Sequence, residues 1–322
     1  MVIDRRRYLS SRPTSCGDST TVRADWCDLE GRIVYGLERK TADRPAGWRM
    51  IDKRTFDKFR ELVYRESGIT LRENKESLVS ARVAKRMRQL NITSHREYLN
   101  LISHDKQGNE LVHLLDAIST NVTHFFREER HFEVLTNLAR EWEAKGRRNF
   151  RIWCAASSTG EEPYSLAMTL LEAMNNPGEI KIIASDISTQ VLKKAQRGVY
   201  QARSVENVPR LYLTRYFQKG RGRAHGFYRV MPVVRDMVIF RRINLARPPY
   251  PVRGPLDVIF CRNVMIYFDN RIRKDLLASM YNMLRTGGYL MVGHAESLSG
   301  MLSSFKSVEP SVYIKASSTR GK

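Results

Sequence analysis

The spacing of hydrophobic positions changes near residue 150, and this change divides the chain into two kinds of predicted structure. Before it, apolar residues recur every three or four positions, as in the stripe formed by Val79, Val83, Met87 and Leu90. This spacing is typical of amphipathic helices, and about four such segments predict a small all-α N-terminal domain over residues 49–120. The first helical segment ends at Gly68, which is a good C-cap signal.

After residue 150, short apolar strands alternate with helical segments. The runs "FRIWCAA", "IKIIASD" and "LDVIFC" are predicted strands, and Ser188 is placed to cap the helix "STQVLKKAQ". This alternation predicts a mostly parallel sheet covered on both faces, in an α/β domain over residues 121–318. Residues 212–240 do not fit the alternation, and we expect them to form an inserted antiparallel β subdomain. Residues 1–48 have no sustained period and are predicted to be a flexible extension.

The composition favours a soluble, cytoplasmic protein. The chain has 322 residues, of which 42% are hydrophobic and 28% are charged, so it is long enough for two domains. No apolar run approaches the roughly 18 residues that a membrane helix requires, and the N-terminus lacks the apolar core of a signal peptide. The four cysteines have neither disulfide-like nor metal-like spacing, and Cys154 and Cys261 are expected to be buried thiols.

The net charge of +21 implies an acidic partner, which could be nucleic acid, an anionic membrane surface or an acidic protein. One predicted helix, from Leu78 to Leu90, is unusually basic. Its charged residues form either a solvated face or a docking surface for an acidic partner, and they are Arg82, Lys85, Arg86 and Arg88.

Candidate ligand-binding residues follow the predicted strands, because ligands of open α/β sheets bind beyond the carboxyl ends of the strands. They are Glu161, Asp186, and Arg262 with Asn263. Asp186 is placed to accept hydrogen bonds from ribose hydroxyls, which implies a nucleoside ligand. The alternatives are that Asp186 caps the next helix, that Glu161 or Glu162 complements a helix dipole, and that Arg262 and Asn263 are turn residues.

The turn "WCAASSTGEEPYSLA" lacks the G-x-G-x-x-G pattern of dinucleotide-binding folds and carries two carboxylates. S-adenosylmethionine has a nucleoside but no pyrophosphate, and both its sulfur and its amino group are cationic. An acidic turn suits such a ligand better than a row of backbone amides would.

Six segments, in this order, resemble the chemotaxis receptor methyltransferase (CheR) family: "NVTHFFRE", "AASSTGEEPYSLA", "ASDIS", "NL" at residues 244–245, "FCRNVMIYFD" and "GHAESL". The resemblance covers residues 56 to 315. It implies a Rossmann-like class I methyltransferase domain that contains the inserted β subdomain and follows the helical domain. It also implies that S-adenosylmethionine is the cofactor and that glutamate side chains of chemoreceptors are the substrates.

The resemblance assigns residues to the cofactor pocket, namely Asn121, Thr123, Arg127, Glu161, Asp186, Asn244, Leu245, Arg262 and Asn263. It places the catalytic candidates at Arg127 and Tyr267. A glutamate carboxylate is already ionised at neutral pH, so the transfer requires positioning and water exclusion but no general base. We hypothesise that Arg127 holds the substrate carboxylate, while Tyr267 positions one oxygen or borders the methyl group.

The expected partners are the cytoplasmic domains of methyl-accepting chemoreceptors, which the basic helix would contact through their acidic surface. The resemblance further implies that the inserted subdomain binds a tether peptide at a receptor's C-terminus. His124, His131 and His294 do not share metal-ligand spacing, so no metal site is predicted.

Two alternative functions stay open. "RPPYP" at residues 247–251 is similar to a motif of amino-group nucleic-acid methyltransferases. However, it precedes the strand that it should follow and lacks an Asn or Asp before the prolines, so no nucleic-acid partner is expected. The second alternative is a catalytically silent module that binds S-adenosylmethionine.

Overall fold

The computed structural model describes residues 50–119, 121–296, 298 and 305–316, so the predicted extension over residues 1–48 lies outside the described residues. The described part of the chain begins with four helices, which are α1 (Lys53–Ser67), α2 (Glu76–Gln89), α3 (His95–His104) and α4 (Asn109–Ile118). They enclose a hydrophobic core of their own. The predicted all-α domain is therefore confirmed.

Local signals explain where these helices begin and end. Asp52 caps α1 by accepting a hydrogen bond from the Thr55 amide at 2.9 Å, and the helix ends at Gly68 in the left-handed conformation, as predicted. The stripe on α2 faces the core, because Val79, Val83 and Met87 are fully buried. Burial of this apolar face, rather than helix propensity, supplies most of the stability of such short helices.

The second unit is built on a seven-stranded sheet whose order is β6-β2-β1-β7-β8-β10-β9. Its first five strands are parallel, and β10 runs antiparallel to both β8 and β9. The strands are β1 (Phe150–Cys154), β2 (Ile180–Asp186), β6 (Val238–Arg242), β7 (Leu256–Cys261), β8 (Leu284–Val292), β9 (Lys306–Glu309) and β10 (Val312–Ile314). The predicted mostly parallel α/β sheet is confirmed.

Helices cover both faces of this sheet, and each face has its own hydrophobic core. The helices of this unit are α5 (Arg130–Ala144), α6 (Glu161–Ala173), α7 (Thr189–Arg197) and α10 (Asn270–Met283). Ser188 caps α7 as predicted, since its side chain accepts a hydrogen bond from the Val191 amide. Cys154 and Cys261 are buried free thiols, also as predicted.

The inserted antiparallel sheet is present, but its limits differ from residues 212–240. It consists of β3 (Val199–Gln201), β4 (Phe217–Lys219) and β5 (Phe227–Val230), in the order β3-β5-β4. Two short helices accompany it, α8 (Arg210–Tyr216) and α9 (Pro232–Arg235). The insert starts earlier because β3 pairs with β5, and it ends earlier because Val238–Phe240 pairs with β2 in the main sheet.

The helical domain packs closely against the α/β domain. A Cβ atom on Gly68 would lie 2.6 Å from Ala246 Cβ and 2.8 Å from Ile272 Cδ1, so only glycine allows this approach. Polar contacts reinforce the junction, since Asp116 accepts hydrogen bonds from both the amide and the hydroxyl of Thr189 at 2.8 and 2.9 Å. None of the helices in the described ranges is long and apolar enough to cross a membrane.

Candidate active site

A cavity of about 400 Å³ lies at the carboxyl ends of the parallel strands, between the two domains. One wall comes from the turn after β1, the end of β2 and the segment after β7. The helical domain supplies the opposite wall through residues between Ser67 and Ser119, including Arg72, Lys75 and Arg82. The cavity has the size and position of a small-molecule site in an α/β fold.

Nine of the ten residues predicted for the cofactor or for catalysis line this cavity. They are Asn121, Thr123, Arg127, Asp186, Asn244, Leu245, Arg262, Asn263 and Tyr267. The exception is Glu161, which is buried and accepts a hydrogen bond from the Thr159 hydroxyl at 2.6 Å. The next residue, Glu162, lines the cavity instead, because adjacent residues of a helix face directions about 100° apart.

Backbone amides from the turn after β1 and from the turn after β2 bind the carboxylate of Asp186. The amides of Ser158 and Ser188 each donate to Asp186 at 2.9 Å, one to each carboxylate oxygen. Burial raises the pKa of Asp186, although these hydrogen bonds oppose the shift. Each oxygen keeps a lone pair for another donor, so Asp186 is suited to bind the hydroxyls of a ribose.

The turn after β1 uses its single glycine for close packing against the inserted subdomain. Gly160 has a φ of +97°, and a Cβ there would lie 2.8 Å from Tyr200 Oη. The Tyr200 hydroxyl in turn donates to the Thr159 carbonyl at 2.7 Å. The insert therefore supports the turn that shapes the cavity.

Arg262 organises the cavity wall through two carboxylates. Its side chain has no exposed surface, and it forms ion pairs with Glu128 at 3.0 Å and with Glu162 at 2.7 Å. It also donates to the Arg127 carbonyl at 2.5 Å. Although burial would raise the pKa of Glu128, Arg262 holds it below its usual range. These contacts leave Arg262 better suited to position its neighbours than to bind a ligand through its guanidinium.

The segment after β7 is held by a residue that the sequence reasoning did not single out. Glu296 accepts hydrogen bonds from the amides of Asn263, Met265 and Gly293, each at 2.7 Å, and from that of Ile266 at 3.3 Å. Burial raises the pKa of Glu296 despite these four donors. Glu296 follows β8, so the strand-end rule that predicts Asp186 could also have found it.

Left-handed backbone conformations cluster around this segment. Phe126, Glu128, Ser158 and Asn263 all have φ between 46° and 57°, which is uncommon for residues other than glycine. Ser158 and Asn263 line the cavity, and Phe126 and Glu128 flank Arg127, which also lines it. Such strain persists where surrounding contacts enforce it and is common at functional sites.

The two catalytic candidates lie half-buried in the cavity wall. Among the described residues, the Arg127 side chain donates one hydrogen bond, to the Val122 carbonyl at 3.0 Å, which leaves donors of its guanidinium for a ligand. The hydroxyl of Tyr267 has no hydrogen-bond partner among the described residues, while its carbonyl accepts from the Thr70 amide at 2.8 Å. The Arg127 guanidinium and the Tyr267 hydroxyl therefore keep donors available for a ligand in the cavity.

The basic helix α2 divides into three environments. Lys85 and Arg88 are exposed, whereas Arg86 forms an ion pair with buried Glu110 at 2.6 Å. Arg82 lines the cavity and contacts the Ile118 carbonyl. The structure therefore leaves Lys85 and Arg88 available for docking and gives Arg86 a role inside the domain.

Asn244 and the "RPPYP" segment contribute to the domain junction. The Asn244 side chain donates to the Glu66 carbonyl at 2.7 Å, and Arg247 pairs with the Glu66 carboxylate at the same distance. Tyr250 is buried and donates to the Leu245 carbonyl at 2.6 Å. A buried tyrosine cannot stack on a nucleic-acid base, which counts against that alternative.

Comparison with known proteins gives one consistent result. The family model "CheR methyltransferase, SAM binding domain" matches residues 121–314, and "CheR methyltransferase, all-alpha domain" matches residues 54–119.

Curated relatives agree with the family models. A chemotaxis protein methyltransferase of Escherichia coli is 40% identical over 76% of this chain and 84% of that protein. Chemotaxis protein methyltransferase 2 of Pseudomonas aeruginosa is 42% identical over 81% of this chain and 92% of that protein. The match therefore spans both domains of the fold.

Proposed function

The chain belongs to the CheR methyltransferase family, and from this premise we propose that it transfers a methyl group from S-adenosylmethionine to glutamate side chains of chemoreceptors. The product on the receptor is a glutamate methyl ester, formed on the cytoplasmic domain in sensory adaptation. The observation that carries this proposal is the cavity between the domains, where Asp186, Arg127 and Tyr267 meet.

The residues of the cavity fit S-adenosylmethionine. Asp186 offers acceptors for ribose hydroxyls, and the turn after β1 offers the carboxylate of Glu162 where a dinucleotide site would offer glycine amides. When bound, the cofactor supplies an electrophilic methyl group on a cationic sulfur. Acidic groups are compatible with that charge, and small residues such as Ala155 and Ala156 leave room for it.

The chemistry requires orientation rather than proton transfer. The glutamate substrate enters as a carboxylate, one of whose oxygens bonds to the methyl carbon while the carbon–sulfur bond breaks and its electrons move to sulfur. Arg127 has free donors to hold the other oxygen, and a limited contact avoids weakening the nucleophile. The Tyr267 hydroxyl, which has no hydrogen-bond partner among the described residues, would orient the attacking group, and the helical domain that forms one wall of the cavity would exclude water.

The charge around the cavity is complementary to an acidic receptor. Lys85 and Arg88 are exposed on α2, and Arg72 and Lys75 line the cavity from the same domain. Electrostatic steering by such groups raises the rate of encounter with acidic partners. A tether peptide would bind an edge strand of the inserted sheet, either β3 or β4, by adding a strand.

Transfer of labelled methyl tests the proposal. The full chain is incubated with labelled S-adenosylmethionine and a receptor signalling-domain fragment, and nucleic acid is tested in parallel. Mild alkali then releases methanol from a carboxyl methyl ester but leaves N-methyl groups in place. We expect volatile label from the receptor, with less from Arg127→Ala. Alkali-stable label on nucleic acid would overturn the proposal, and cofactor binding without transfer to any receptor would favour the silent module.

A further inference from the structure

Three potential metal ligands that are far apart in the sequence meet behind the cavity wall. Glu128 precedes α5, His131 lies in its first turn, and His294 follows β8. One donor atom from each lies within 4.8 Å of the other two. Spacing along the chain could not show this cluster, because 163 positions separate the two histidines in the sequence.

His131 gives an independent reason to expect a ligand. Its side chain has no exposed surface, yet neither ring nitrogen has a hydrogen-bond partner among the described residues. Its Nδ1 lies 3.5 Å from a Glu128 oxygen, which is too far for a good hydrogen bond. Buried polar atoms are almost always satisfied in native proteins, so this imidazole requires an explanation.

We propose that Glu128, His131 and His294 form a binding site for a divalent transition-metal ion of the Zn²⁺ class. Bonds of about 2.0–2.1 Å in a tetrahedral site put ligand atoms about 3.3 Å apart. The separations from Glu128 are 3.5 Å to His131 and 3.9 Å to His294, and all three donor atoms lie within 4.8 Å of one another, so the three side chains must draw together to complete the geometry. Two imidazoles and one carboxylate favour zinc over magnesium or calcium.

The exposure of one ligand, His294, makes the site accessible from solvent. The His294 side chain is 54% exposed, so an ion can enter from solvent and keep a water as its fourth ligand. Three protein ligands with one open position fit a reversible site better than a closed structural one.

The site shares Glu128 with Arg262, and this sharing gives zinc an effect on the cofactor cavity. Arg262 lies 3.0 Å from the same Glu128 oxygen that faces both histidines. Zinc would draw Glu128 away from Arg262. Arg262 would then keep two partners, the Glu162 carboxylate and the Arg127 carbonyl. Because Arg262 and Asn263 line the cavity and both contact Glu128, zinc binding should weaken cofactor binding.

Zinc titration of the full chain tests the site. The background carries Cys16→Ser and Cys27→Ser and no histidine tag, so that other ligands do not compete. His294→Ala removes the most exposed ligand and is the least disruptive test, and His225→Ala is a control at an exposed histidine of the insert. Calorimetry with ZnCl₂ should show one equivalent bound, with affinity at least 50-fold lower in His294→Ala and unchanged in His225→Ala.

Two further readouts identify the ligands and the effect. Co²⁺ should give the intense visible absorption of a four-coordinate site in the control but not in His294→Ala. One equivalent of zinc should lower the affinity for S-adenosylhomocysteine at least five-fold in the control and leave His294→Ala unaffected. Absence of stoichiometric zinc binding, or equal zinc affinity in the two variants, would overturn the site. Unchanged cofactor affinity with zinc bound would overturn the coupling through Glu128.

Discussion

Replacing Glu296 with glutamine tests how the cavity wall is held in place. Glu296 is 5% exposed, and its carboxylate accepts hydrogen bonds from four backbone amides, those of Asn263, Met265, Ile266 and Gly293. Glutamine has nearly the same shape but offers one oxygen and one NH₂ group. Two of the four amides would therefore face a donor in place of an acceptor.

The structure sets the size of the effect. In Glu296, Oε1 accepts hydrogen bonds at 2.7 and 3.3 Å, and Oε2 accepts two at 2.7 Å. Whichever of these oxygens the glutamine NH₂ group replaces, at least one short hydrogen bond is lost. Each unsatisfied buried donor costs about 1–3 kcal/mol. Because burial raises the pKa of Glu296, the variant also avoids part of the cost of burying a charge. We expect a net loss of about 2–3 kcal/mol in the free energy of unfolding.

The same substitution should weaken cofactor binding. The held segment carries Asn263 and Tyr267 into the cavity wall, so its loosening reduces affinity by about ten-fold, which corresponds to about 1.4 kcal/mol. Guanidinium unfolding measures the stability, and calorimetry with S-adenosylhomocysteine measures the affinity. Glu129→Gln is the matched control, because it removes the same charge from an exposed position in the neighbouring segment.

Two results would refute this reasoning. If Glu296→Gln unfolds at the same denaturant concentration as Glu129→Gln, the four hydrogen bonds do not hold the segment. If stability falls but cofactor affinity does not, the segment is held by Glu296 without shaping the cavity.

Tyr267→Phe should keep cofactor affinity within about two-fold and lower the turnover of labelled methyl by about ten-fold, because only the hydroxyl that orients the substrate is lost; unchanged turnover at saturating receptor would exclude that role. Reversing the charges of Lys85 and Arg88 together should raise the KM for receptor by about ten-fold at low salt and by less at high salt, where these exposed charges are screened. An equal effect at both salt concentrations would contradict docking by charge. Burial would raise the pKa of Glu110, but hydrogen bonds from Arg86 and Tyr98 hold it below its ordinary value of 4.5. The ionised Glu110 therefore stabilises the folded state above pH 4.5, and this stabilisation is lost as the pH falls through the lower pKa of the folded state. Glu110→Gln should therefore cost about 2 kcal/mol at pH 7 and progressively less as the pH falls below 4.5 in denaturant titrations. A cost independent of pH would show that the charge of Glu110 is not its source.

Local patterns were sufficient to predict much of the fold and part of the site. Apolar spacing predicts the helical domain because each helix buries one face, and it predicts the parallel sheet because the covered strands bury both faces. The position of Asp186 follows from the rule that ligands bind beyond the carboxyl ends of parallel strands. A helix cap at Ser188 and a helix end at Gly68 depend only on neighbouring residues, and both are confirmed.

The features that sequence reasoning missed depend on contacts between distant residues. Strand pairing alone separates the insert from the main sheet, since the pattern of Val238–Phe240 is that of any buried strand. Whether Glu161 or Glu162 faces the cavity depends on the rotation of α6. The ion pair between Glu128 and Arg262 joins residues that are 134 positions apart. No local pattern contains that information.

The shared wall of the cavity has a consequence for how the protein unfolds. Gly68 lets the helical domain lie against Ala246, and the Thr70 amide holds the carbonyl of Tyr267, so part of the pocket disappears if the domains separate. A ligand that requires both walls adds its binding energy to the junction, which amounts to about 2.7 kcal/mol at a free concentration 100 times its Kd. The cofactor should therefore make the two domains melt in a single cooperative transition, and its departure should allow the helical domain to open first.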